Sequence, residues 1–363
     1  MKIVIGTGGS GGHLFPALKV AEELKRQSHE VVFIGSFRDG ALETIQNSGF
    51  SFENLSIQGF TAENVAKIFS SARLMCRGYG QSRQLLKKFK PQVVVGFGGY
   101  GSFPVVLAAI FLRIPTLIHE QNVIAGRANK ILAKGVNRIA VSFPQAEGYF
   151  RKEKVILTGC PCHVSGRKFE RETLLKEFNF EHDRMTLLVL GGSQGSHRIN
   201  EIVFEAIKIL KAKQPFQVIH LTGAKDYSQL KIRYQELGIP FALFAFLDKM
   251  EEAYSLADLV ISRAGAVTVT EIAMARLPAI LIPYPFAGGH QMYNAKVLND
   301  VGTARIVNDK ELSASRLVED VLGIVDSPQN FQEKFKAAQN LCFPDAAIRL
   351  ASEIVQLGLT KNN

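Results

Sequence analysis

The sequence predicts an α/β protein of two doubly wound, Rossmann-like domains facing a cleft. Three observations carry that prediction. Apolar runs of strand length alternate with helical periodicity from end to end, the alternation starts afresh near the middle, and each half opens on a glycine-rich loop between strand and helix. The first strand series reads KIVI, EVVFIG, QVVVGFG, PTLIHE, RIAVS and VILTG. The second reads TLLVLGG, QVIHLTG, FALFAF, LVISRAG and PAILIPY. Nearly continuous apolar strands separated by helices imply parallel sheets covered on both faces. After the first loop, Leu14, Ala17, Leu18, Ala21 and Leu24 share one helical face, and Pro16 is expected in the first turn, where proline is tolerated.

The polar connection TGCPCHVSGRKFERE (158–172) lacks periodicity, so the domain boundary is placed there. Residues 1–161 are expected to form an N-terminal domain, joined by a final helix over 344–363, and residues 162–343 a C-terminal domain. With 363 residues, each has enough chain for its own core.

A net charge of +10 favours an anionic partner: nucleic acid, anionic lipid or a phosphorylated substrate. Without a helix-turn-helix, zinc finger or RNA-binding aromatic signature, no nucleic acid partner is expected. The opening MKIVIGTG enters a strand at once and is read as leaving no room for a signal peptide. The longest apolar run, FPVVLAAIFL (103–112), has about half of the ~20 residues that a spanning helix needs. Cys76, Cys160, Cys162 and Cys342 are read as reduced thiols, and no Cys/His spacing calls for a metal.

Three loops follow strands and precede helices: GTGGSGGH (6–13), GFGGYGS (96–102) and GGSQGS (191–196). Glycine is needed where φ is positive or where a ligand oxygen approaches backbone N–H groups, and the helix that follows favours phosphate. Gly6, Gly8 and Gly11 also satisfy G-x-G-x-x-G. A dinucleotide site, however, needs an acid at the end of the second strand. EVVFIGS ends in Gly35 and Ser36, with Asp39 beyond the strand, so that reading fails. No GK[ST] follows any loop, which excludes a P-loop nucleotidase. In ISRAGAVTVTE (261–271), a strand and Gly265 lead into a helix start whose Glu271 has the chemistry to accept two vicinal ribose hydroxyls. An acid there equally well complements the helix dipole.

Together these residues resemble the MurG-type glycosyltransferases of bacterial cell-wall synthesis. The motifs are GTGGSGGHLFPALKVAEEL, GFGGYGSFP, HEQNVIAGRANKILA, LGGSQGSHRIN and SRAGAVTVTEIAMARLPAILIPYP with HQMYNA, in family order along essentially the whole chain. HEQN (119–122) and GGSQG (191–195) are the most specific. The resemblance implies a GT-B fold and inverting transfer of N-acetylglucosamine from UDP to lipid-linked N-acetylmuramoyl-pentapeptide. It implies a donor held mainly by the C-terminal domain and an acceptor held by the N-terminal one. The family's donor contacts carry over to Ser10, Gly11, Gly12, Asn122 and Ser193, to Ala266, Val267, Thr268, Val269, Thr270 and Glu271, and to Gln291. The backbone of Leu247 is expected to face the uracil. His163 stands where the family pattern has an arginine, and it lacks arginine's permanent charge and fork, which Arg167 or Arg263 are candidates to supply.

For the base that takes the acceptor proton, His13 is the first candidate and Glu120 the alternative. Tyr100, Ser102 and His119 are candidates to bind the acceptor. No cofactor is implied, since enzymes of this fold generally hold no metal in the site and the chain has no Asp-x-Asp motif. A lipid-linked acceptor implies a peripheral enzyme on the cytoplasmic face of the bacterial inner membrane. The helical stretch 64–90 has Ile68, Phe69, Leu74 and Met75 among Lys67, Arg73, Arg77, Arg83, Lys87, Lys88 and Lys90, with Ile110, Phe111 and Arg113 expected nearby. Apolar residues ringed by cations suit an anionic membrane surface. Competing readings are a UDP-sugar 2-epimerase, another glycolipid glycosyltransferase, and a non-catalytic nucleotide-sugar sensor.

Overall fold

A computed structural model describes the chain except for residues 38–39, 56, 58–64, 168, 193, 327 and 361–363. For 65–72, 287, 328–330, 332, 337 and 339–340 it describes the backbone alone. The chain divides into two compact units, Met1–Cys162 with Asp345–Asn363, and His163–Pro344.

Unit 1 is built on seven parallel strands: β1 (Lys2–Gly8), β2 (Glu30–Ser36), β3 (Ser51–Asn54), β4 (Val93–Gly96), β5 (Thr116–Glu120), β6 (Arg138–Val141) and β7 (Val155–Leu157). Their order is β3-β2-β1-β4-β5-β6-β7. Period-two alternation sends Ile3 and Ile5 to one face, where they meet Leu14, Ala17, Leu18, Ala21 and Leu24 of the helix Gly11–Arg26. Leu350, Ala351 and Ile354 of the last helix, Ala346–Leu359, join the same cluster. Val4 faces the other way, onto Leu86, Val105 and Ala109. Both faces are therefore dry, which is why the strands read as unbroken apolar runs.

The first helix begins three residues before the apolar stripe, at Gly11, so Pro16 lies in its second turn rather than its first. Proline has no N–H, so the Gly12 carbonyl loses its i+4 partner. The helix Gly99–Phe111, after the second glycine loop, repeats the arrangement with Pro104 and the Tyr100 carbonyl.

Unit 2 holds six parallel strands: β8 (Met185–Leu190), β9 (Phe216–Leu221), β10 (Phe241–Phe244), β11 (Leu259–Ser262), β12 (Ala279–Leu281) and β13 (Ala304–Ile306). Their order is β10-β9-β8-β11-β12-β13. In each unit the strand order reverses once, between β1 and β4 and between β8 and β11. The carboxyl ends of strands at such a reversal are where open α/β sheets bind ligands.

Candidate active-site loops

At the reversal in unit 1 the first two glycine loops lie against each other. The Phe97 N–H donates to the Gly6 carbonyl (2.8 Å) and the Gly8 N–H to the Gly98 carbonyl (2.9 Å). A Cβ on Gly8 would sit 3.0 Å from the Gly99 Cα, and one on Gly101 would strike the Thr7 carbonyl oxygen. Much of the glycine content thus lets one backbone pass another. Gly98 and Gly99, at φ +88° and +76°, also make room for the His13 ring, which a Cβ on either would approach to within 3.1–3.2 Å.

His13 is half-buried, and the Nδ1 side of its ring faces inward. Burial lowers its pKa from the ordinary imidazole value, opposed by the Glu120 charge, the Gln121 side chain and the Phe97 carbonyl. Ser10, Gly11 and Gly12 lie at the mouth of this loop, with Ser10 and Gly12 exposed. Tyr100 is 52% exposed.

The structure corrects three expectations. Glu120 is buried and its carboxylate is saturated: Oε1 accepts from the N–H (3.0 Å) and Nδ2 (3.2 Å) of Asn122, and Oε2 from the Gly126 N–H (2.8 Å) and Asn129 Nδ2 (2.8 Å). It shapes the 121–126 loop and sets the half-buried Asn122 rather than serving as a base. His119 is 0% exposed, with Nε2 3.2 Å from the Gly159 carbonyl and Nδ1 3.2 Å from Gln121 Nε2, so it does not reach an acceptor. Burial pulls its pKa down to about 4. Ser102 is buried, its hydroxyl lying over Gly96.

In unit 2 the loops after β8 and β9 cross closely. A Cβ on Gly195 (φ +75°) would overlap the Thr222 carbonyl, and one on Gly223 (φ +77°) that of Gln194. Asn200, fully buried, ties this crossing together by donating from Nδ2 to the Thr222 carbonyl (2.9 Å) and to Asp226 (2.7 Å). Its Oδ1 is 3.1 Å from Nε2 of His220, a buried histidine whose pKa falls to about 3 and which the sequence reading did not single out. Ser193, an expected donor contact, lies outside the described residues, as does Asp39.

The helix Ala266–Ala275 follows Gly265 with no side-chain cap among the described residues, the kind of start whose first N–H groups need a partner outside the helix. Ala266, Val267, Val269 and Thr270 are buried, and Thr268 is half-buried. Glu271 is also buried. Its Oε1 accepts from the His163 N–H (3.3 Å) and lies 3.1 Å from His163 Nδ1, and its Oε2 accepts from the Tyr254 hydroxyl (3.1 Å). The histidine at the family's arginine position therefore holds the carboxylate. Arg263 is not available to replace that arginine, since it bonds Asp309 (2.6 Å), the Ile282 carbonyl and the Ser196 hydroxyl. Arg167 is exposed and lies over the Phe169 ring. Gln291 Oε1 accepts from the Ala264 (3.1 Å) and Tyr284 (2.9 Å) N–H groups, so the other end of its amide is a donor. Leu247 is half-buried on the loop after β10.

Comparison with known proteins agrees with this fold. Residues 3–141 match the glycosyltransferase family 28 N-terminal domain and residues 186–350 the family's C-terminal domain. A Halothermothrix orenii protein is 38% identical over 95% of each chain, and one from Geobacter sulfurreducens is 37% identical over 98% of each. Both are named UDP-N-acetylglucosamine–N-acetylmuramyl-(pentapeptide) pyrophosphoryl-undecaprenol N-acetylglucosamine transferase. The crystal structure of Acinetobacter baumannii MurG superposes with a TM-score of 0.75 at 27% identity, covering 98% of this chain and 99% of that one. A UDP-GlcNAc 2-epimerase from Neisseria meningitidis reaches 0.70 at 14% identity, covering 98% and 100%, which shows a shared fold and no more. The fold is GT-B, and the chain belongs to glycosyltransferase family 28, among the MurG-type N-acetylglucosamine transferases.

Proposed function

We propose that this chain moves N-acetylglucosamine from UDP-N-acetylglucosamine to lipid-linked N-acetylmuramoyl-pentapeptide, with inversion at the anomeric carbon. The near-full-length likeness to relatives named for that transfer carries the reading. His13 takes the proton of the acceptor hydroxyl as that oxygen attacks and the bond to UDP breaks. The open N–H groups at Ala266, Val267 and Thr268 stabilise the charge gathering on the departing diphosphate. Glu271, braced by His163 and Tyr254, is the ribose acceptor, and Gln291 donates to the same nucleotide. Ser10, Gly11, Gly12, Asn122, Ser193 and the Leu247 backbone complete the donor contacts, and Tyr100 meets the acceptor.

The acceptor's lipid brings unit 1 to the cytoplasmic face of an anionic membrane. Phe111 is 69% exposed beside exposed Arg113, and its ring packs edge-on against Tyr79 (6.1 Å) of the helix Val65–Phe89. Arg73, Arg77, Arg83, Lys87 and Lys88 are exposed along that helix, with Lys90 just after it. The side chains of Lys67, Ile68 and Phe69 lie outside those described. Among the described residues no helix is long and apolar enough to cross a membrane.

The test is transfer of labelled N-acetylglucosamine to the lipid-linked acceptor in detergent. Labelled lipid product is the expected result. UDP binding with no lipid product overturns the reading, and release of an epimerised sugar without acceptor identifies an epimerase.

A further inference from the structure

HEQN contributes one residue to which no role has yet been given, Gln121. It is buried beneath the first two glycine loops, and its surroundings fix which way its amide points. The Gly159 carbonyl, which can only accept, lies 3.2 Å from His119 Nε2, so that nitrogen bears the proton. Burial keeps the His119 ring neutral at working pH, so its Nδ1 is an acceptor. The Gln121 atom 3.2 Å from Nδ1 must then be the NH2, and the same NH2 donates to the Phe97 carbonyl at 2.8 Å. Two independent contacts thus give one orientation for the amide.

Its oxygen is left facing the other way. Gln121 Oε1 and His13 Nδ1 are both buried and have no well-formed hydrogen bond among the described residues. Both border Gly98, where a Cβ would lie 3.1 Å from His13 Nδ1 and 3.7 Å from Gln121 Oε1. An amide oxygen only accepts, and so does the nearby Phe97 carbonyl. The one ring form that suits these neighbours has a proton on Nδ1.

We propose that Gln121 is the positioning residue for His13, its Oε1 accepting the Nδ1–H so that Nε2 keeps its lone pair for the acceptor hydroxyl. The assignment rests on the reading of His13 as the base. It makes His119 the far end of a relay of fixed hydrogen-bond directions, from the Gly159 carbonyl to the catalytic ring. Gln121 moves no proton itself.

The test uses the full-length chain with ¹⁵N-labelled histidine rings, His13 being assigned by the loss of its signal in His13→Asn. Gln121→Met removes the acceptor at similar volume, and Gln121→Glu retains an acceptor while adding a charge. Wild type is expected to show His13 protonated at Nδ1, and Gln121→Met a mixture of ring forms with kcat about tenfold lower at unchanged donor KM. The acid limb of kcat/KM should move down in Gln121→Met, which loses a contact favouring the imidazolium, and up in Gln121→Glu. The other ionisable neighbours, Glu120 and neutral His119, stay in place in both variants. UDP binding and the unfolding midpoint report on folding. A wild-type His13 protonated at Nε2, or acid limbs that move the same way in both variants, overturns the assignment. A tautomer that shifts while the rate holds upholds Gln121 and removes His13 as the base.

Discussion

At the strand reversal of unit 1 the side chain the glycine loops leave half-buried is an imidazole, that of His13, whereas at that of unit 2 the group nearest the uncapped helix start is the buried carboxylate of Glu271. The supporting architecture is the same, parallel strands with glycine loops crossing at their carboxyl ends. The chemistry differs in how much is already committed. His13 has one ring face buried and a pKa set by opposing influences, so it is suited to gaining and losing a proton. Glu271 already accepts from His163 and Tyr254, so it is held in place. Under the proposed function, similar scaffolds provide a proton acceptor in one unit and a fixed anchor in the other.

The largest break in that comparison comes from His13→Ala. It should lower kcat by about 10²–10³ with UDP affinity little changed, as measured by steady-state transfer and by UDP titration. Equal losses in both would assign His13 to donor binding instead.

Acid sharpens the comparison, because each unit buries a neutral imidazole, His119 in one and His220 in the other. Their folded pKa values, about 4 and about 3, lie below the ~6.5 of an unfolded histidine. Below pH 6.5 the unfolded chain binds the extra proton, so stability falls with pH. Each group costs about 1.4 kcal/mol per pH unit until its folded pKa is reached, and neither has an effect above about pH 7. Unfolding followed from pH 7.5 to 5 should show the loss, and His220→Gln should make it shallower. An identical slope in that variant removes His220 as a cause.

Glu271→Gln should weaken donor binding by about tenfold while leaving the pH dependence of kcat alone, because the amide retains one acceptor oxygen and loses the charge. Tyr254→Phe should cost less, since it removes one of the donors to the carboxylate and leaves the carboxylate itself. Isothermal titration with UDP measures both, and a shifted kcat pH profile in Glu271→Gln would mean that the two roles are not separate.

The layered sheets were legible in the sequence because burial on both faces leaves unbroken apolar runs, and helical spacing identified Leu14 through Leu24 as one buried stripe. The loops were legible as glycine-rich strand ends. The partner of each glycine was not. Gly8 meets Gly99 and Gly195 meets Thr222, contacts set by which strands neighbour each other in the sheet. The same limit explains Glu120 and His119. Their place at the carboxyl end of β5 suggested access, but Gly126, Asn129, Ser142 and Gly159 close over them from 6 to 40 residues further along. Glu271 was recognisable as a site acid, yet its histidine partner lies 108 residues away. Pro16 misled because an apolar stripe marks where a helix buries a face, and this helix starts about a turn earlier, on the half-buried Gly11.

Gly12 separates the two reasons for glycine most cleanly. A Cβ there would meet nothing within 4 Å among the described residues, whereas Gly8 and Gly9 press on neighbouring backbone. Gly12 lies inside the helix Gly11–Arg26 and is not among the positive-φ glycines. Unit 2 has no such test at Gly192, which also has open space but sits at φ +92°, where alanine is strained. Nothing among the described residues of unit 1 asks for glycine at position 12, and alanine favours a helix by about 0.5–1 kcal/mol. Gly12→Ala should therefore unfold at the same or a slightly higher temperature. If the residue clears space for the donor's approach, the same variant should raise the donor KM severalfold while Gly8→Ala loses stability first. A Gly12→Ala enzyme with wild-type donor KM would mean that the glycines of this loop serve only the packing of one backbone on another.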